Sequence, residues 1–91
     1  MRQVVWTQDA IDDVDGIFAY IAQFNPAAAG RLVDQFTAVA DSLAEFSERG
    51  RLIEGGLRQL STLRPYLMRY HVGPEVVTIL RVRHGARRDE D

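Results

Sequence analysis

The sequence has no cysteine and no lysine, three prolines, one tryptophan and no long apolar run. Without cysteine there is no disulfide framework, no thiol nucleophile and no cysteine-ligated zinc site. No stretch approaches the roughly 18 apolar residues of a membrane span. Met1-Arg2-Gln3 leads into a strand-like run instead of an apolar secretory segment, so the expected location is the cytoplasm. The absence of lysine makes every one of the eleven basic residues an arginine. Arginine suits bidentate contact with carboxylate or phosphate and tolerates partial burial, although a GC-rich coding bias accounts for the same usage equally well.

What is present is an ordinary globular composition: 91 residues, 46% hydrophobic and 26% charged. A chain of this size buries roughly 60–70% of the surface its unfolded form exposes, which supports one core, so a single domain over residues 1–91 is expected. The net charge of −2 conceals an asymmetry. In residues 1–48 two arginines stand against eight acids, a balance of −6. In residues 49–88 nine arginines stand against Glu54 and Glu75, a balance of +7, and Asp89, Glu90 and Asp91 restore the total. The second half is therefore a basic surface suited to an anionic partner.

Arg2 to Trp6 is a β-favouring run, and Thr7 follows as a helix N-cap with Asp9 in the first turn. Ile11, Val14, Ile17, Phe18, Ile21 and Phe24 recur at spacings of three and four, which predicts an amphipathic helix ended by Asn25-Pro26. Asn25 then caps a second helix with Pro26 as its first residue, and Leu32, Val33, Phe36, Val39, Leu43 and Phe46 extend its stripe towards Gly50. From Leu57 the period becomes strand-like: Leu57–Leu63, Tyr66–Val72 and Val76–Arg83, with turns at Arg64-Pro65 and Gly73-Pro74. The expected fold is α+β in the order β-α-α-β-β-β, a helical hairpin packed on a small, mainly antiparallel sheet. One residue more or less in the last turn decides which face of the final strand joins Tyr66, Met68 and Tyr70, and spacing leaves that register open.

Several constellations invite a chemical reading. Asp13-Val14-Asp15-Gly16 imitates the centre of a calcium-binding loop, but the terminal ligand positions would be Ile11 and Ala22, so acids favouring a helix N-terminus explain it better. Asp9 and Asp13 share a helical face and read as a solvated pair without a catalytic role. Were the last two strands to pair around Gly73-Pro74, His71 would face residue 76 or 77, leaving His84 about 23–26 Å away. The two histidines cannot share a metal ion, and neither a metal nor a cofactor is expected. His84 beside Arg83 and ahead of Arg87 and Arg88 has the composition of a general acid or base next to phosphate-binding arginines, with a solvated edge or protein-binding patch as the competing reading. Arg69, Arg81, Arg83, Arg87 and Arg88, interleaved with Tyr66 and Tyr70, could equally form a basic and aromatic strip for nucleic acid or a patch for an acidic protein segment. No phosphate-binding glycine loop or hydrolase elbow is present.

Taken in order, the short segments resemble one family. Val5-Trp6-Thr7 before an Asp-rich helix, Tyr20-Ile21-Ala22 with Asn25-Pro26-Ala27-Ala28-Ala29, and Leu43-Ala44-Glu45-Phe46 are similar to the ParE-like branch of the RelE/ParE toxins of type II toxin–antitoxin modules. Leu57-Arg58-Gln59-Leu60, Pro65-Tyr66-Leu67-Met68-Arg69-Tyr70 and Ile79-Leu80-Arg81-Val82-Arg83-His84-Gly85-Ala86-Arg87 are the most specific part, and the resemblance spans residues 4 to 88. It implies a toxin neutralised by a cognate antitoxin in a hetero-oligomer, with an antitoxin segment folding onto the basic surface or into the groove between helices and sheet.

ParE-like members poison DNA gyrase on cleaved DNA, whereas RelE-like members are ribosome-dependent mRNA endonucleases. Against the nuclease pattern this chain has no lysine, and Leu67 stands where an arginine of the penultimate strand would be, while Arg87 matches. The leading expectation is therefore a gyrase-binding toxin without enzymatic activity. Its target-binding residues would be Arg81, Arg83, His84, Arg87 and Arg88, and it would meet nucleic acid only indirectly. The alternatives are an mRNA endonuclease centred on Arg69, His84 and Arg87, and an inactivated toxin that retains only antitoxin binding.

Overall fold

A computed structural model describes residues 1–85. Strand β1, Gln3–Trp6, turns Val4 and Trp6 towards the core and hands over at Thr7 to helix α1, Gln8–Ala22. The Thr7 hydroxyl accepts the Ala10 N–H at 3.1 Å, the N-cap that its position suggests. Ala10, Val14 and Ile17 line the buried side of α1. Asn25 accepts the Ala28 N–H at 3.1 Å and Pro26 opens helix α2, Pro26–Ser42, which buries Phe36 and Ala40. Both caps match the sequence-based expectation, but α1 ends at Ala22, before Asn25-Pro26, and of its expected stripe Ile11, Phe18 and Phe24 are exposed.

The second helix is shorter than expected. It stops at Ser42 instead of continuing towards Gly50, and although Leu43 is buried as the stripe implies, Phe46 is 61% exposed. The reason lies in the sheet. Tyr70 is fully buried, and its hydroxyl donates to the Ser47 carbonyl at 2.7 Å and accepts the Gly50 N–H at 2.8 Å. A continuous helix would consume both backbone groups internally and leave the phenol unsatisfied. Gly50 has to be glycine for the same contact, because a Cβ there would sit 2.8 Å from the Tyr70 hydroxyl and 3.0 Å from the Gln59 carbonyl.

Beyond Gly50 the chain adds a strand that the hydrophobic pattern does not reveal. Strand β2, Arg51–Leu52, pairs with β3, Arg58–Leu60, through a short 3-10 turn in which Gly55 and Gly56 both take positive φ. β3 covers only the first half of the expected Leu57–Leu63 segment. β4, Tyr66–Val72, and β5, Val76–His84, form the main hairpin. The sheet order is β1-β5-β4-β3-β2, antiparallel except for the parallel β1–β5 pair, with both helices packed on one face: an α+β fold, as expected.

The hairpin register is also settled. Val77, Ile79, Val82 and His84 stand opposite Val72, Tyr70, Met68 and Tyr66, so these pairs share the helix-facing side. His71 faces Thr78, not residue 76 or 77. The turn sets this pairing, closing at the Gly73 N–H to Val76 carbonyl bond of 2.9 Å with Pro74-Glu75 at its tip, and a bulge at Leu80, the extra residue between the Tyr70–Ile79 and Arg69–Arg81 pairs, then moves the later pairs by one residue.

Removing the Tyr70 hydroxyl strands two backbone groups in the core. Tyr70→Phe should lower unfolding stability in urea by about 1–3 kcal/mol without changing the fold. A variant as stable as the parent would show that these bonds do not set the end of α2.

Candidate functional site

β1 pairs with β5 only as far as Ile79. Past that point the β1-side edge of β5 meets side chains of α1. The Thr7 hydroxyl donates to the Leu80 carbonyl at 3.1 Å, and further along the helix the Asp13 carboxylate accepts the Val82 N–H at 2.9 Å. The same carboxylate takes the guanidinium of Arg81 in two-pronged fashion, Nε at 2.9 Å and a terminal nitrogen at 3.0 Å. This pair joins the acidic and basic halves of the chain, with the Asp13 side chain 15% and the Arg81 side chain 36% exposed.

Burial alone pushes the Asp13 carboxyl upwards. The hydrogen bonds from Arg81 and the Val82 N–H, together with the charges of Arg81 and Arg83, outweigh that and hold it below the usual carboxylate range. Tyr70 shifts the other way, raised by burial, and so stays a protonated donor.

The expected target-binding residues fall into two groups. Arg81, Arg83 and His84 lie together at the end of β5, all partly buried, whereas Arg87 and Arg88 lie outside the described residues. Arg83 stands opposite Leu67, on the face away from the helices. His84 sits on the helix-facing side, its ring edge-on to Tyr66 at 5.4 Å, and Tyr66 in turn packs edge-on to Phe36 at 5.5 Å.

Of the nuclease set, Arg87 lies outside the described residues, and Arg69 and His84 are not brought together. Arg69 projects from the outer face, where its Nε donates to the Gln59 side-chain oxygen at 3.0 Å, and three residues of β4 separate it from the Tyr66–His84 pair on the other side. Nor does the structure keep arginines and tyrosines in one strip. Tyr70 is buried in the core and Tyr66 packs against it, while Arg69 is exposed on the opposite face. His71 and His84 are separated by six residues along β5, about 20 Å. Among the described residues no cluster of three or more histidines and acids could hold a metal ion. Between α2 and the sheet, where a groove for an antitoxin segment was expected, there is a small recess lined mostly by apolar side chains, Phe36, Val39, Leu60, Leu63, Tyr66 and Met68, with Thr62.

Sequence reasoning passed over Asp13. Its neighbours Asp9, Asp12 and Asp15 made it look like one more solvated acid, and the only local signal is its place beside the buried Ala10–Val14–Ile17 stripe.

Charge follows the layers. No described strand contains an acid, and the five strands together carry Arg51, Arg58, Arg69, Arg81, Arg83 and both histidines. The helices carry Asp9, Asp12, Asp13, Asp15, Asp34 and Asp41 against Arg31. No described helix is long and apolar enough to cross a membrane.

Residues 4–89 match the family model described as ParE toxin of type II toxin–antitoxin system, parDE. Over 87 residues the chain is 49% identical to Toxin RelE2 of Caulobacter vibrioides, covering 96% of this chain and 99% of that protein. Toxin RelE3 of the same organism is 30% identical over 91 residues, covering 97% and 99%. Among solved structures, a chain of the chromosomal ParDE system from P. aeruginosa superposes with a TM-score of 0.83 at 26% identity, covering 92% of this chain and 96% of that one.

The lowered Asp13 pKa makes the clip that its carboxylate forms on Arg81 and Val82 a source of stability above the carboxyl's ordinary value, lost as pH falls through the folded-state value. Stability of the parent should therefore fall more steeply than that of Asp13→Asn between about pH 5 and pH 2. Parallel curves from denaturant melts at several pH values would contradict the clip.

Proposed function

We propose, from the premise that the chain belongs to the ParE toxin family of type II toxin–antitoxin systems, that it arrests growth by poisoning DNA gyrase until its antitoxin covers it. The observation that supports this reading is the segregation of charge by layer. The last strand of an acid-free sheet ends in Arg81, Arg83 and His84, and Arg87 and Arg88 follow in the sequence. This run of basic residues supports binding to an anionic surface of gyrase or its DNA complex, with association steered by charge and weakened by salt. The toxin needs no catalytic group for this, because holding gyrase in its cleaved state is an act of binding. Gyrase works on cytoplasmic DNA, so the proposed site of action is the cytoplasm.

The second reading, a ribosome-dependent mRNA endonuclease, draws its support from relatives named RelE. It needs a general acid or base and charge-stabilising arginines around one phosphate. Arg69 and His84 on opposite faces of the sheet, and Leu67 in place of an arginine, argue against that centre.

Purified toxin incubated with gyrase, ATP and supercoiled plasmid should accumulate linear DNA after the enzyme is denatured. Reversing Arg87 and Arg88 to Glu should remove both this product and growth arrest while leaving the protein folded. No linear product from folded parent protein would reject gyrase poisoning, and new transcript ends within translated codons would establish the endonuclease instead.

A further inference from the structure

We infer that Asp13 is a positioning residue for the basic end of β5, and that Arg81 acts through it by orienting the strand end, not by touching the target. The inference rests on the reading of that strand end as the toxic surface. Three observations carry it. One carboxylate holds both the Arg81 guanidinium and the Val82 N–H, so side chain and backbone are fixed at a single point. That point falls where β1 has ceased to pair and a bulge has loosened the register, the one stretch of β5 whose path the sheet leaves underdetermined on the β1 side. Two residues further on, His84 pairs with Tyr66 and packs edge-on against it, and the Gly85 N–H donates to the Pro65 carbonyl at 2.7 Å, so the strand end is held by β4 on one side and by Asp13 on the other.

The geometry also sets what Arg81 has left to offer. Its Nε and one terminal nitrogen form the edge with which a guanidinium grips a carboxylate or phosphate two-handed, and Asp13 occupies that edge. An anionic partner would have to displace a carboxylate that also holds a backbone N–H.

A double-mutant cycle on growth arrest separates the two roles. Asp13→Ala and Arg81→Gln should each raise the toxin level needed for arrest by at least tenfold, and the double variant should need no more than the weaker single one. Multiplied losses would show that Arg81 meets the target itself, and full potency of folded Asp13→Ala would overturn the inference. Amide exchange on the purified chain gives a reading independent of any target. Exchange at Val82 should quicken at least tenfold in Asp13→Ala, with the His84 ring signals shifted and the Phe36 amide unchanged. Unaltered Val82 and His84 signals would overturn the inference even for a toxin that leaves gyrase untouched. If Asp13→Ala fails to fold, Asp13→Asn, which keeps an acceptor for Val82 but not the charge, should show the His84 shift with a smaller change at Val82.

Discussion

Strand β5 needs hydrogen-bond partners along nine residues, and β1 supplies them along only four. A peptide group left unpaired in a half-buried edge costs roughly 1–3 kcal/mol, so the remaining edge has to be satisfied by something other than a strand. Helix α1 does this with two side chains. Thr7 caps its own helix with one hydroxyl lone pair and donates to Leu80, and Asp13, on the flank of the buried stripe, closes on Val82 and Arg81. The helix start, its position along the sheet, the bulge at Leu80 and the orientation of the basic strand end are thus one arrangement. An inward-turned acid on a sheet edge also discourages pairing with a second chain, which protects the stretch that β1 leaves open.

Local chemistry was legible in the sequence wherever a residue acts on its own neighbours. Thr7 and Asn25-Pro26 announce helix starts because a cap bonds three residues ahead, and the β4–β5 hairpin is visible because its strands alternate across seven or more residues. Illegible features are those decided from afar. Leu43 and Phe46 continue the α2 period, yet the helix stops because Tyr70, twenty residues past Gly50, requires the Gly50 N–H and the Ser47 carbonyl. Two residues, Arg51 and Leu52, are too few to show alternation, so β2 is silent until its partner is known. The hairpin register could not be read because the turn closes at Gly73 and Val76 around Pro74-Glu75, and a bulge at Leu80, which adds a residue without changing composition, moves the later pairs by one.

The same distinction applies to the site. The arginine-rich end of β5 was visible by composition, and the structure brings Arg81, Arg83 and His84 into one short stretch. Composition could not assign faces. Alternation puts Tyr66 and Tyr70 among the helices and Arg69 outside, which removes the aromatic platform that single-stranded nucleic acid would use and leaves a surface defined by charge. Nor could it show that one member of an acidic run has a private cation: Asp13 differs from Asp12 and Asp15 only in the direction its helical position faces.

What emerges is a division of labour between layers, with acidic helices that brace the sheet and a cationic strand end that they hold in place. Its central claim, that this strand end and the residues after it are the surface the target meets, is tested most directly by hydrogen–deuterium exchange of the full chain with and without gyrase bound to DNA. Protection confined to peptides covering residues 81–88, with the solvent faces of α1 and α2 unchanged, is the result expected. Protection that instead falls on the acidic helices and spares the end of β5 would contradict it.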